Sequence, residues 1–500
     1  MNAVRSFLGL ATKDKPIQVE DNDIYPTTLF DDTKSMRDMI LHWTFHFNDV
    51  LDAEKLRSSL ARLLEIGDWR KIGGRYRINT QNKAEFHVPR EFTAEKPAFR
   101  YSHRVFDMGI DDHPTGRKFP KTGENPAFHP GSQMFKDLAT TPDDPVNGWD
   151  LLEGEKPQMS LNIVSFNDAT LVSLVCSHML MDAGGLQAML QNWSLVLAGR
   201  EEEVVPVLGV QRDVIYEVAK DPVGSQQEEL EIISKRIVGW KMFIFVMRFL
   251  WELLWYGKPT YRTIFLPKAT IDRLRCEAQE DIAEAQGPVG DEKPFISEGD
   301  VLSAWIARTV ALSDSRHLPV SILNAVNLRF RFDYLKNATG VYIQNLALCI
   351  FAFISPSKIR GPLGPIALEN RKYLTEQTTQ PQIRACLRMF IAESKNGIDA
   401  MLFGEPNMLL IIITNWTKAY LTQAADFSAA VLKKGESGEK RRNALGQMTQ
   451  ASVAPTKESF MSKNMMIIKG KDHGGNYWLE GAFLPKTWDK FEEEIARLSS

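Results

Sequence analysis

His178 sits in the run Ser177-His178-Met179-Leu180-Met181-Asp182-Ala183-Gly184-Gly185, where an apolar stretch ends and an amphipathic one begins. Imidazole is the side chain whose ordinary pKa suits proton abstraction near neutral pH, so His178 is a candidate general base. Asp182, four residues on, invites a His–Asp dyad. The two glycines that follow let another chain segment or a ligand approach the backbone closely. Taken alone, the His-x-x-x-Asp spacing is weak evidence. Nine histidines at an ordinary Asp frequency yield on the order of half a chance match. A second copy does occur, at His103-Arg104-Val105-Phe106-Asp107, but it precedes a polar loop and reads as a decoy. Farther along, Thr414, Asn415 and Trp416 close the apolar run Leu409–Ile413 with a hydroxyl, an amide and an indole N–H. Donors of that kind stabilise a developing oxyanion, although a core role for Trp416 competes. Lys433, Lys434, Lys440, Arg441 and Arg442, with Gly435 and Gly438, make a basic cluster able to meet phosphates. A charge run of this sort is more often a solvated face.

The elements that must position these residues are legible in outline. Ser160–Phe166 and Thr170–Cys176 are two apolar runs split by Asn167-Asp168-Ala169, a strand pair with a tight turn that delivers His178 at its exit. Leu186–Leu197 follows as an amphipathic helix. Asp52 is placed to cap a helix over Ala53–Ile66, with a Leu51–Leu56 staple. Residues 107–149 are rich in Pro, Gly and Asp and read as a surface excursion. In the second half, strands are expected at Tyr261–Phe265, Val320–Asn327, Leu346–Phe353, Leu409–Thr414 and Tyr477–Phe483. Ser297-Glu298-Gly299-Asp300 resembles a capping box opening the helix Val301–Leu312, and a helix over Trp488–Leu498 ends the chain. Glu280–Pro294, acidic and bearing Gly and Pro, reads as a loop.

Five hundred residues exceed one ordinary core of roughly 250–300, so two domains are expected. Irregular alternation of helices and strands in both halves argues an α/β or α+β chain. We divide it into residues 1–215, a crossover over 216–260, and residues 261–500. Sixty Lys and Arg against 63 Asp and Glu give a net charge of −3 and no basic field for nucleic acid. The four cysteines, Cys176, Cys276, Cys349 and Cys386, are scattered, so neither a disulfide framework nor a metal site is readable and a reducing, cytoplasmic setting is expected. Ile237–Gly257 is about long enough to cross a bilayer but carries Lys241, Arg248 and Glu252. A buried or surface-lying helix is the expectation there, lining an apolar substrate route or touching a membrane face, without stable insertion.

The stretch SHMLMDAGG resembles the HxxxDG region of the BAHD acyltransferases, particularly the fungal members similar to trichothecene O-acetyltransferases. Four more pieces match that family in order: Ser297–Thr309, Asn324–Arg329 as its N/D-x-R strand, Gly340–Asn345 as its G-Y-x-G-N segment, and Thr414-Asn415-Trp416 as its T/S-S-W strand end. The resemblance implies two chloramphenicol-acetyltransferase-like domains with an active-site channel between them. It implies acyl-coenzyme A as co-substrate with no permanently bound cofactor, a small-molecule acceptor, and a monomer. It also implies that His178 removes the acceptor's proton, while Asp182 turns away to pair with Arg329. Thr414, Asn415 and Trp416 become the oxyanion candidates; Lys433 and Lys434 lie on the coenzyme side, with Asp426 as a structural carboxylate there. Two departures stand out. The family's DFGWG stretch is Asp426-Phe427-Ser428-Ala429-Ala430 here, and Gln344 replaces a glycine. They leave open a repurposed fold acting as a cyclase or isomerase, or a non-catalytic binding protein.

Overall fold

Runs of β-branched and aromatic residues build seventeen strands among the described residues of the computed structural model, which are 22–220, 228–286, 294–398, 400–435 and 441–499, without the side chain of Phe460. In the first half these are β1 (Asn22–Pro26), β2 (Ile40–Phe47), β3 (Asp49–Leu51), β4 (Arg75–Ile78), β5 (Ala84–Pro89), β6 (Arg100–Val105), β7 (Ala127–Pro130), β8 (Met159–Ser165) and β9 (Thr170–Ser177). The second half adds β10 (Thr260–Leu266), β11 (Val320–Asn327), β12 (Ala347–Ile354), β13 (Leu409–Asn415), β14 (Val431–Lys434), β15 (Gln450–Pro455), β16 (Met465–Lys471) and β17 (Tyr477–Phe483).

Two large sheets carry the molecule. One has the order β15-β2-β9-β8-β6 and the other β12-β11-β13-β16-β17-β10-β7. Every residue of β8 and β9 is buried, the polar Ser160, Asn162 and Ser173 included, so both faces of the pair are covered. Their turn closes with Phe166 N–H donating to the Ala169 carbonyl. In the second sheet β11, β13 and β16 run parallel, so Ala325–Asn327 and Thr414–Asn415 emerge side by side at their C-terminal ends. Each sheet also holds one strand from the other half of the chain. β7 pairs with β10 in the seven-stranded sheet, and β15 pairs with β2 in the five-stranded one.

One hydrophobic cluster gathers around β2, β8 and β9 with Trp69, Trp193 and Phe427; a second gathers around Trp305, Trp488 and Phe491. Mixed sheets flanked by helices make this a mixed α/β chain, as its residue pattern requires. Asp52 caps the helix Ala53–Leu63 by accepting from Glu54 and Lys55 N–H. Ser297 and Asp300 form the expected capping box on the helix Glu298–Leu312.

Two expectations are corrected. The helix Lys268–Gln286 runs through the acidic stretch read as a loop from Glu280; Ile271, Leu274, Ala278 and Ile282, all buried, keep helical spacing past that point, and residues 287–293 lie outside the described residues. Residues 107–149 are more than a surface excursion, since they supply β7 and bury Phe119, Phe135 and Leu138. Acidic residues concealed the helix extension, and Pro and Gly density concealed β7, because sheet pairing at a distance leaves no local period.

Candidate active site

β9 ends at Ser177, and the next residue is held by its backbone on both sides. His178 N–H donates to the Met39 carbonyl at 2.9 Å, and its own carbonyl accepts from Asn345 Nδ2 at 2.8 Å. The imidazole Nδ1 is buried without a hydrogen bond of ordinary geometry. Burial holds the ring's pKa below the usual imidazole value; its own backbone carbonyl and the charges of Asp182 and Asp31 pull it only partway back. A neutral imidazole at physiological pH is the form a general base requires.

Asp182 belongs to a different network. Its Oδ2 accepts from Arg329 Nη1 at 2.9 Å and from Leu346 N–H at 3.0 Å, and its Oδ1 caps the helix Ala183–Leu197 through Gly185 N–H at 2.9 Å. Arg329 spends its remaining donors on the carbonyls of Tyr342 and Gln344 and on Asn327 Oδ1. The guanidinium thus wraps the segment 342–346 around the N-terminus of that helix. Gly184 and Gly185 permit the approach: a Cβ on Gly185 would lie 2.1 Å from the Ile343 carbonyl, and one on Gly184 would lie 2.9 Å from Arg329 Nη1.

Behind His178 stands Asp31, fully buried, which accepts from both the N–H and the side-chain amide of Asn345 at 2.9 and 2.8 Å. Burial raises the Asp31 pKa, with buried Lys71 and Asn345 opposing. The relay from Asp31 through Asn345 to the His178 carbonyl was missed in the sequence. Asp31 lies far from every motif, and only the Gly340–Asn345 stretch signalled its partner.

At the end of β13, Trp416 Nε1 donates to Thr414 Oγ1 at 2.9 Å. That bond occupies the indole N–H and leaves the Thr414 hydroxyl proton free to donate outward. Trp416 packs on Trp43, with ring centroids 5.2 Å apart, and so leans against the first-half sheet. Asn415 is exposed; its side-chain oxygen accepts from Thr417 N–H, and its Nδ2 faces Gly299 at the start of the helix Glu298–Leu312. Asp426 accepts from Ser428 N–H, while Phe427 stacks on Phe47 and abuts Trp193.

The basic cluster is partly engaged. Lys433 donates to the Asn167 carbonyl and Arg441 pairs with buried Asp49 at 2.7 Å, whereas Lys434 is exposed and Lys440 lies outside the described residues. His103 is satisfied by the Ser165 hydroxyl at 3.0 Å, and His473 by the Met448 carbonyl. A groove of about 680 Å³ opens beside β6, lined by Arg57, Phe92, Tyr101 and Asp144, and involves none of the residues around His178. Among the described residues no cluster of His, Cys, Asp and Glu is arranged to hold a metal.

No protein-family model matches the chain. O-acetyltransferase PaAT-2 of Phomopsis amygdali is 36% identical over 484 residues, covering 95% of this chain and 98% of that protein. Acetyltransferase pyiB of Pyricularia grisea is 33% identical over 95% and 94%. A protein named transcriptional regulator calD, from Penicillium decumbens, is 31% identical over 94% and 95%. Among solved structures, F. sporotrichioides TRI101 complexed with coenzyme A and T-2 superposes with a TM-score of 0.66 at 16% identity, covering 95% and 98%. Vinorine synthase does so at 0.59 and 13%. Full-length similarity to the fungal acetyltransferases, together with this shared fold, shows that the chain belongs to the BAHD-type acyltransferase family.

Proposed function

We propose that this protein transfers an acyl group from acyl-coenzyme A to a hydroxyl, or an amine, of a small hydrophobic secondary metabolite, with His178 as general base. One observation carries the reading. His178 is clamped by its backbone at the end of β9, while the carboxylate four residues on is committed to Arg329. The base is therefore a neutral imidazole whose Nε2 is left for chemistry. It would take the acceptor's proton as the acceptor oxygen attacks the thioester carbonyl. The tetrahedral oxyanion would take a hydrogen bond from Thr414, whose lone pair is engaged by Trp416, with Asn415 beside it. Collapse expels the coenzyme thiolate, which recovers its proton from the imidazolium. No covalent enzyme intermediate is needed when both substrates are held together.

In this reading the halves 1–215 and 261–500, joined through 216–260, flank a channel with His178 midway along it. Lys433, Lys434 and the loop anchored by Asp426 lie on the coenzyme side. The enzyme works as a cytoplasmic monomer through the HxxxD motif of His178 and Asp182. A non-catalytic binding role is the second reading, favoured by the name of the calD relative. Calorimetric titration with acetyl-coenzyme A, for wild type and His178→Ala, tests the proposal. Micromolar binding by both, with turnover of a hydroxylated acceptor by wild type alone, supports it. No binding of acetyl- or longer acyl-coenzyme A by wild type rejects it, and binding without His178-dependent turnover favours the second reading.

A further inference from the structure

The helix Trp240–Tyr256, sequence WKMFIFVMRFLWELLWY, is inside out. Glu252 is its only buried residue. That carboxylate fastens the helix to the body, accepting from Arg316 Nη2 at 2.5 Å and from Lys463 Nζ at 2.6 Å. Lys463 also sits over the Phe249 ring at 4.3 Å, and Lys486 over Tyr256 at 3.9 Å. Ionic and cation–π contacts hold the helix beside the half-buried Met242, Phe245, Phe249 and Leu253, and its other apolar face is left pointing at solvent. Leu254 is 84% exposed, Trp255 69%, Trp240 and Phe243 67%, Trp251 60% and Met247 50%. At 100° per residue these six fall on one stripe along the whole helix. Side chains of about 150–250 Å² each, half or more exposed, make an apolar patch on the order of 800 Å². A typical monomer's largest patch is roughly 300–600 Å².

We infer that this face docks on an anionic lipid surface, with the helix lying in the plane of the headgroup region. Charge separates a bilayer from a protein partner. Lys241 and Arg248 line one edge of the stripe and Lys258 follows it, and none of the three pairs with a described carboxylate. The helix's one acid is turned inward. A basic-flanked apolar stripe with tryptophans toward both ends complements anionic headgroups and the acyl boundary beneath them. A protein interface of that area carries a hydrogen-bonding group roughly every 100–200 Å². This stripe offers no charged or amide side chain at all. Seventeen residues span about 25 Å, and no described helix is long and apolar enough to cross a bilayer, so the helix lies on the membrane rather than through it.

The location keeps this role separate from the chemistry. Arg316 and Lys463 precede β11 and β16, whereas Thr414 and Trp416 lie at the C-terminal end of β13, which runs parallel to both, at least about 13 Å farther along by strand rise. The inference therefore stands whether or not the acyl-transfer reading does. Flotation of the full chain with phosphatidylcholine vesicles containing 30% phosphatidylserine on the order of physiological salt tests it. Wild type should float, with a blue shift of tryptophan emission. Trp251→Glu/Leu254→Glu should lose at least about tenfold in partitioning, and Lys241→Glu/Arg248→Glu should lose it on the anionic vesicles. Both variants should keep wild-type melting temperature and acetyl-coenzyme A binding. Failure of wild type to float overturns the inference. So does a concentration-dependent dimer, seen by light scattering and abolished in Trp251→Glu/Leu254→Glu, because the occupant is then a second copy of the chain.

Discussion

At the scale of single residues, the site separates proton transfer from architecture. Among the described residues His178 has no carboxylate partner, because Asp182 is held by Arg329 and Leu346 N–H. Removing the imidazole should lower kcat by about 10²–10⁴ while leaving coenzyme binding intact. Steady-state kinetics on His178→Ala beside calorimetry would show that split, and equal losses in both would argue for a structural histidine. Burial places the His178 pKa below 6.5. The base is active when neutral, so kcat/KM should rise with pH along a limb centred below 6.5. A limb centred above 7 would mean that some other group is titrating. Thr414 is engaged by the Trp416 indole and keeps its hydroxyl proton. Thr414→Ala should cost about 10²–10³ in kcat with KM little changed. Thr414→Ser, which restores the hydroxyl, should recover most of it, and a Ser variant as slow as Ala would remove the donor role.

At the scale of elements, Asp182 joins three of them: it caps the helix Ala183–Leu197, grips Arg329 beyond β11, and holds the strap at Leu346. Deleting one member of a largely buried pair leaves the other charge unmet and typically costs about 3–5 kcal/mol. Urea unfolding of Asp182→Asn and Arg329→Met should each show a loss of that order. A loss below about 1 kcal/mol in both, the range of exposed pairs, would show that solvent already screens the bridge. The elements themselves were mostly legible. The apolar runs of β8 and β9, the caps at Asp52 and Ser297 and the strand Val320–Asn327 all carry local signals. Three features were not. β7 and β15 pair with strands far away in sequence, Asp31 reaches His178 only through Asn345, and the helix Lys268–Gln286 continues under an acidic surface. The first two depend on contacts that no window of neighbouring residues encodes, whereas the helix keeps its apolar spacing through Ile282 beneath the acidic residues that masked it.

At the scale of the whole molecule, the halves are laced together through β2, which pairs with β9 on one side and with β15 from near the C-terminus on the other. His42 lies within that strand, 1% exposed, and neither ring nitrogen has a hydrogen-bond partner among the described residues. Burial, aided by the nearby charge of Lys136, pushes its pKa down to about 4, with Asp144 opposing. The unfolded chain would protonate it near 6.5. Between those values the unfolded state binds the extra proton, so stability is full above pH 6.5 and is lost as pH falls towards about 4. One such group contributes a slope of up to about 1.4 kcal/mol per pH unit. His178, shifted in the same direction, adds to it. His42→Leu removes the titration together with two unpartnered polar atoms, a change that is neutral or stabilising in a packed site. Melting temperatures across pH 4–7 should therefore fall less steeply in His42→Leu than in wild type, while the difference between the two becomes constant above pH 6.5. Parallel curves would assign the acid loss to other groups. The same variant resolves an ambiguity at the site, because an acid limb in activity could reflect either protonation of His178 or unfolding around β2. If the limb stays in place while the melting curve flattens, the activity limb belongs to the base.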